Sequence, residues 1–375
     1  MKVLHICNAF QTNPMYLDLF MRLEHLGIKE IVLSPGVMVT SNVVKGDNIS
    51  IFYYCRSQNI IKRLLWRKKI SSLTEYIDGV VNVKDLALIH AHTLFSDGAV
   101  AYELFKKYKI PYLVAVRNTD LNVFFKYMLW ERGLGYNILK HASKIVLISH
   151  ANKEQLYRIL PRSLKEEINP KVEIIPNGIN QYWLTNINTA SRVLGNEIRF
   201  TYVGDICTNK NIDGTLKAIS IVNKEYDVKY TVIGDKKDEK NSYVNNIRNK
   251  AETCPYFILK ERCNKEDLLQ YFRNSTDVFI MNSHNETFGL SYIEALTQGV
   301  PIIYSKGQGV DGYFNEGLVG YHADASDAND IAQTIKKTIT NYSTLIEGIK
   351  KVDFGVFDWA NISLHYKTIY ESILL

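Results

Sequence analysis

The residues best suited to chemistry lie in one stretch, NETFGLSYIEALTQGVP, residues 285–301. It follows an apolar run and opens an amphipathic one, which reads as a strand, a loop and a helix. At such a helix start the N–H groups of Phe288, Gly289 and Leu290 have no partner within the helix. With the positive end of the helix dipole they suit a phosphate. Gly289 lets a ligand approach the backbone closely. Glu286 and Glu294 stand eight residues apart. One could contact a sugar beside the phosphate while the other reaches a ribose, because a carboxylate accepts both protons of a vicinal diol. The same residues also fit a purely structural role. Ser291 and Glu294 match a capping box, and an acid such as Glu286 near a helix start is favourable electrostatics.

A second stretch, YVGDICTNKNIDGTLKAI (202–219), has a strand ending at Gly204, a polar loop, and Lys210 before a helix. Lys210 can neutralise a diphosphate as a point charge; alone, it reads equally as a solvated lysine. Neither GKS nor GKT occurs, so this is not a P-loop. In the first half, HAHT (90–93) ends a strand and could offer His92 to an acceptor, or serve structure only. Arg117 follows another strand, with Asp120 three residues on. Arg117 could bind an acceptor phosphate or a departing diphosphate, or form a buried ion pair with Asp120. The sequence HExxH is absent, no two of the five cysteines are spaced as CxxC, and no metal is expected.

The elements that must position these residues follow from pattern. The chain has 375 residues, 46% hydrophobic and 22% charged, which excludes disorder, collagen and coiled coil and suggests two domains. Strand candidates are 3–7, 30–34, 87–92, 112–116, 143–149 and 172–176, then 198–204, 229–235, 277–283 and 300–305. Helix candidates alternate with them at 16–27, 98–108, 152–160, 213–223, 267–274 and 290–299. Such alternation implies parallel β-α-β units. We expect a first domain over 1–180, a polar linker at 181–196 and a second domain over 197–356, with a last helix over 357–375.

Net charge is +6 but uneven. Residues 1–180 hold 24 Lys and Arg against 15 Asp and Glu; residues 181–375 hold 21 against 24. Only the first half is therefore expected to meet an anionic surface or substrate. Residues 60–73, IIKRLLWRKKISSL, combine five basic residues with an apolar side. That suits an interfacial helix on anionic lipid, or a surface helix with its apolar side in the core. Nucleic acid is not expected, since basic residues are not interleaved with aromatics over a wide face. No stretch approaches the ~20 apolar residues of a spanning helix. A cytoplasmic protein is expected, with attachment to the inner membrane face open.

Taken together, Glu-x7-Glu with FGL and EALTQGVPII around it, IIPNGI (174–179), and FDWANISLHYKTIYESIL (357–374) with Trp359, Tyr366 and Tyr370 resemble family 4 glycosyltransferases. That resemblance implies an α/β GT-B fold: two Rossmann-like domains with parallel sheets facing a cleft, and a C-terminal helix returning to the first domain. It implies retaining transfer of a sugar from a UDP- or GDP-linked donor to a hydroxyl of a glycan or lipid-linked glycan, in capsule, lipopolysaccharide or other surface-glycan assembly. By the resemblance, Glu294 binds the ribose and Glu286 the transferred sugar. Lys210, Gly204, Arg262 and the amides of Phe288, Gly289 and Leu290 hold the rest of the donor. Arg117, which the resemblance makes catalytic with Glu286, stands where the family often has a His facing the acceptor, and Asn8, His92 and Asp120 fall on the acceptor side. No D-x-D occurs, and the family works without a metal or a bound cofactor. The chain departs from the pattern at Gly204-Asp205, usually Gly-Arg, and in the loop 8–14, which has no Gly pair. These departures motivate the alternative of a non-catalytic GT-B subunit supporting a partner transferase. A nucleotide-sugar epimerase of the same architecture is a third reading.

Overall fold

The computed structural model describes residues 1–13, 15–36, 49–55, 66–236, 238–239 and 241–375. They form two compact units. The first comprises Met1–Ile148, Lys153–Gly178 and Trp359–Leu375, the second Ser149–Asn152 and Ile179–Asp358.

The strands of the first unit are β1 (Lys2–Ile6), β2 (Lys29–Gly36), β3 (Ile49–Cys55), β4 (Leu88–Ala91), β5 (Tyr112–Val116), β6 (Lys144–Leu147) and β7 (Val172–Ile174). They make one parallel sheet in the order β3-β2-β1-β4-β5-β6-β7. The short apolar runs that mark them are what a sheet covered on both faces demands. One face carries helices 66–80, 98–108 and 132–141 over Ile6, Ile89 and Val114. The other carries helices 15–25 and 359–374 over Val3, Leu88 and Leu113. Trp359, Tyr366 and Tyr370 are buried in this second layer. Gly178 lies under the Trp359 ring so closely that a Cβ there would sit 2.6 Å from it.

The second unit has β8 (Ile198–Val203), β9 (Val228–Asp235), β10 (Phe257–Glu261), β11 (Val278–Met281), β12 (Ile302–Ser305) and β13 (Gly320–Ala323). They also run parallel, in the order β10-β9-β8-β11-β12-β13. The order reverses between β8 and β11, and the two loops that sequence reading singled out leave the carboxyl ends of those two strands. Open parallel sheets bind ligands at that place.

Two expectations need correction. Residues 181–196 are not a linker: they lie within the second unit. Gln181–Thr185 is a short helix with Trp183 buried, and the Arg192 guanidinium donates to the carbonyls of Phe272, Arg273, Thr276 and Gln298. Trp183 and Arg192 anchor the stretch to the second unit, while most of its other residues stay exposed. Strands β3, β10 and β13 were not expected. Each stands at an end of its sheet order, β3 in the first unit and β10 and β13 in the second; FILKE and GYHA lack the continuous apolar run of a strand covered on both faces.

Candidate nucleotide-sugar site

In the second unit, β8 ends at Gly204, whose φ of +151° only glycine adopts freely. A Cβ there would meet the Tyr202 hydroxyl at 2.7 Å, and a Cβ on Gly234 would meet the Gly204 carbonyl at 1.9 Å. The ends of β8 and β9 thus close on each other. The chain then turns through Thr208–Lys210 into helix 212–222. Asn209 ties this loop to the one after β11: its Nδ2 donates to the Asn285 carbonyl at 2.8 Å, and its Oδ1 accepts from the Asn285 amide at 3.1 Å.

That clamp brings together two of the expected residues. Lys210 Nζ lies 2.6 Å from Glu286 Oε2, with both side chains mostly buried. Gln308 Oε1 accepts the Glu286 amide at 3.1 Å, and the Gly309 amide donates to the Glu286 carbonyl at 3.0 Å. Gly309 has a φ of +56°, and a Cβ there would lie 3.0 Å from the Glu286 side chain. Sequence reading missed Gln308 and Gly309; the available signal was the glycine run KGQGVDG (306–312).

Helix 290–297 starts after Gly289, its N-cap, with a φ of +84°. Ser291 is therefore already inside the first turn, and no capping box with Glu294 forms. The Phe288 side chain is 2% exposed, so this residue offers its backbone alone. Among the described residues, no backbone carbonyl outside the helix accepts the N–H of Phe288, Gly289 or Leu290. One turn on, burial pushes the Glu294 carboxyl up to about 7, opposed by a hydrogen bond with Trp183. Trp183 is a further residue that sequence reading missed, because it falls in the expected linker.

Asp205 follows Gly204 where the resemblance leads one to expect an arginine. Its carboxylate is paired with Lys236 Nζ at 3.0 Å and with Arg262 at 2.6 Å. The Lys236 hydrogen bond holds it below the usual carboxylate range. Arg262 is thereby placed in the same corner as Gly204, with more than half of its side chain exposed.

The first unit treats its polar residues differently. Asn8 is exposed after β1, and its amide donates to Asp97 Oδ1 at 3.2 Å. Arg117 Nε donates to the His92 carbonyl at 3.3 Å, and its guanidinium also bonds the Tyr366 hydroxyl. The ion pair with Asp120 is not made. Asp120 instead accepts three backbone N–H groups: Leu94 at 2.9 Å, Phe95 at 3.1 Å and Arg117 at 2.9 Å. It is buried and holds loops, so its expected contact with an acceptor is corrected.

His92 is corrected as well, being 1% exposed. His5 is in register with His90, and His92 follows on the same face. His5 Nδ1 and His92 Nε2 share a hydrogen bond at 3.1 Å, His90 Nδ1 meets the Tyr370 hydroxyl at 2.7 Å, and His5 Nε2 lies 3.1 Å from Glu30. Burial pushes Glu30 up to about 9 and His5 down to about 3, and lowers His90 and His92 too. The cluster is therefore neutral. Its three histidines have ligand atoms within 4.8 Å of one another. However, the His90 and His92 rings stack at 3.9 Å and 22°. Imidazole lone pairs lie in the ring plane, so those of stacked rings do not converge on one centre.

Of the expected membrane helix 60–73, residues 60–65 lie outside the described residues. The remainder belongs to helix 66–80, whose Ile70, Leu73 and Ile77 are buried in the core. Its apolar side thus faces inward. Among the described residues no helix is long and apolar enough to cross a membrane.

Comparison with known proteins points one way. Residues 186–351 match the family model described as glycosyl transferases group 1. An uncharacterized glycosyltransferase of Methanocaldococcus jannaschii is 21% identical over 82% of this chain and 81% of its own length. The capsular polysaccharide biosynthesis glycosyltransferase CapM of Staphylococcus aureus is 27% identical over 54% of this chain and 53% of its own. Among solved structures, Anabaena HepE in complex with UDP-glucose superposes with a TM-score of 0.66 at 14% identity, covering 99% of this chain and 100% of that one. The fold is GT-B, with two parallel-sheet Rossmann-like units, and the relatives are glycosyltransferases.

Proposed function

We propose that this protein is a retaining, metal-independent glycosyltransferase of the family 4 kind. It moves a hexosyl or N-acetylhexosaminyl group from a UDP- or GDP-linked donor to a hydroxyl of a glycan or lipid-linked glycan. Capsule or lipopolysaccharide assembly at the cytoplasmic face of the membrane is the setting this reading favours; CapM is a relative in such a pathway, and HepE binds UDP-glucose. The observation that carries the proposal is the Lys210–Glu286 pair at 2.6 Å beside a helix start with open N–H groups.

The chemistry follows from that pairing. An arriving diphosphate takes Lys210 and the amides of Phe288, Gly289 and Leu290, while Arg262 covers its outer side. Glu286, released from Lys210, then accepts hydroxyl protons of the sugar. Glu294 does the same for the ribose. As the anomeric C–O bond breaks, charge grows on the departing phosphate, where preorganised donors lower the barrier most. The acceptor oxygen attacks from the same face, and its proton passes to the departing phosphate oxygen. No protein nucleophile is needed. Arg117 serves an anionic group of the acceptor or of the departing diphosphate.

A second reading rests on Asp205. Its carboxylate already engages Arg262 and Lys236, which fits a non-catalytic subunit whose cations are no longer free for a donor.

One experiment separates the two: thermal unfolding with UDP, GDP, ADP or CMP, with and without EDTA, on wild type and Glu294→Ala, followed by donor turnover with Glu286→Gln and Lys210→Ala. A ligand at ~100 times its dissociation constant adds about 2.7 kcal/mol. The expected outcome is stabilisation by one nucleoside diphosphate, indifferent to EDTA and lost in Glu294→Ala. Turnover should fall at least about 100-fold in Glu286→Gln and Lys210→Ala. Stabilisation by none, with no donor consumed, leaves the non-catalytic subunit.

A further inference from the structure

The loop after β12 is poorly suited to keep a shape by itself. Gln308 is flanked by Gly307 and Gly309, whose φ angles are +70° and +56°. Glycine adopts such angles readily but loses much freedom in doing so, so the sequence gives the loop no strong preference of its own. Yet the loop holds both backbone groups of Glu286. Gln308 Oε1 takes the Glu286 amide, and the Gly309 amide donates to the Glu286 carbonyl. A tie to the sheet must therefore fix it.

Asp311 makes that tie. Its Oδ2 accepts the Gly307 amide at 2.5 Å, and its own amide donates to the Gln308 carbonyl at 3.0 Å. The carboxylate thus closes a ring around Gln308 and Gly309. Its other oxygen, Oδ1, lies 3.2 Å from His322 Nδ1. An ionised carboxylate only accepts, so the imidazole donates from Nδ1.

His322 takes its place from the sheet and not from the loop. It lies in β13 opposite Tyr304 of β12, whose ring it meets edge-on at 6.2 Å and 88°. The Thr334 hydroxyl, in helix 328–340, donates to the His322 carbonyl at 3.3 Å. On the far side of the ring, Nε2 faces Glu316 at 3.8 Å, and Lys337 reaches Glu316 at 3.3 Å. The Asp311 and His322 side chains are 20% and 26% exposed, which shields their hydrogen bond from most of the water.

We propose that Asp311 and His322 are positioning residues. They hold loop 306–311 so that Gln308 and Gly309 fix the backbone of Glu286, and with it the direction of its carboxylate. The inference rests on the reading of Glu286 as the residue that meets the transferred sugar. On that reading the diphosphate is held by Lys210 and the amides of Phe288, Gly289 and Leu290, which the loop does not carry. Loosening the loop should therefore slow transfer and spare nucleotide binding.

The test uses the full chain as wild type, Asp311→Ala, His322→Phe and His322→Asn. Phenylalanine keeps a ring against Tyr304 and removes the donor, while asparagine returns an N–H near the place of Nδ1. Hydrogen exchange, read by mass spectrometry, follows the peptides covering 283–290 and 306–312. Calorimetry gives the dissociation constants of UDP and GDP, and turnover is measured on UDP-glucose, UDP-N-acetylglucosamine and GDP-mannose. In Asp311→Ala and His322→Phe both peptides should exchange at least about tenfold faster. Their kcat should fall about tenfold or more, with nucleotide dissociation constants within about twofold of wild type. His322→Asn should bring kcat back to within about threefold of wild type. If Asp311→Ala does not fold, His322→Phe decides alone. Unchanged exchange over 283–290 would overturn the proposal. So would kcat and nucleotide binding falling together, or His322→Asn behaving as His322→Phe. Wild type consuming none of the three donors would overturn the transferase reading instead, and the exchange rates would then decide the hold on Glu286.

Discussion

The two units share a sheet architecture but use their polar residues in opposite ways. At the β8–β11 end of the second unit, Lys210 pairs with Glu286 and Asp205 with Arg262, and these groups keep some access to water. Such pairs exchange partners when a charged ligand arrives. Behind β1 and β4 in the first unit, Glu30, His5, His90 and His92 are buried and neutral, while Asp120 holds three amides. Those groups have nothing to exchange. One region keeps its ion pairs within reach of water, where the proposed donor would bind, and the other holds its titratable groups out of water.

The contrast can be broken most forcefully at Asp120. Asp120→Ala leaves three buried N–H groups without an acceptor, each costing about 1–3 kcal/mol. We expect several kcal/mol of lost stability in a denaturant titration. The nucleotide-induced stabilisation of the protein that remains folded should be unchanged. A loss confined to ligand response, with stability intact, would move Asp120 into the functional class.

Glu30→Gln is the next largest effect and has a definite pH signature. The native carboxyl titrates at about 9, well above the ordinary 4.5. The native state therefore holds a proton that the unfolded chain releases above about 4.5. Wild type should lose stability as pH rises from the ordinary value toward 9. Glutamine cannot ionise, so the variant should lack that slope and be the more stable at pH 8, by a few kcal/mol. Melting temperatures of both proteins between pH 5 and pH 9 check this. Parallel curves would mean that the Glu30 carboxyl titrates alike in the folded and the unfolded chain.

The smallest effect sharpens the comparison from the other side. Asp205 is more than half exposed, so its ion pairs are worth little to folding. Asp205→Asn should leave the melting temperature within about 1 °C. It should also tighten nucleoside diphosphate binding a few-fold by freeing Arg262 and Lys236, as measured by calorimetry. Weaker binding would show that Asp205 itself contacts the ligand.

Much of this was legible in the chain. The alternation of apolar runs placed both sheets, because parallel strands covered on two faces must be apolar throughout. YLVAV at 112–116 is the clearest instance, coinciding with β5. Glu286, Gly289 and Glu294 could be singled out because local spacing around a helix start is a property of consecutive residues. Lys210 could be named but not joined to Glu286, since 76 residues separate them and only the Asn209–Asn285 clamp closes that gap. Trp183 beside Glu294 and Gln308 on the Glu286 amide were hidden for the same reason.

What the sequence determined by itself was the class of fold and the residue types at one helix start, both written in short-range pattern. Tertiary structure alone decided the rest. It turned His92 inward onto His5, gave Asp120 to backbone amides, and drew an apparent linker into the second unit. A side chain's pattern records which types occur together along the chain. Its burial and partners depend on which distant strand or helix arrives beside it, and that is fixed only when the whole sheet closes.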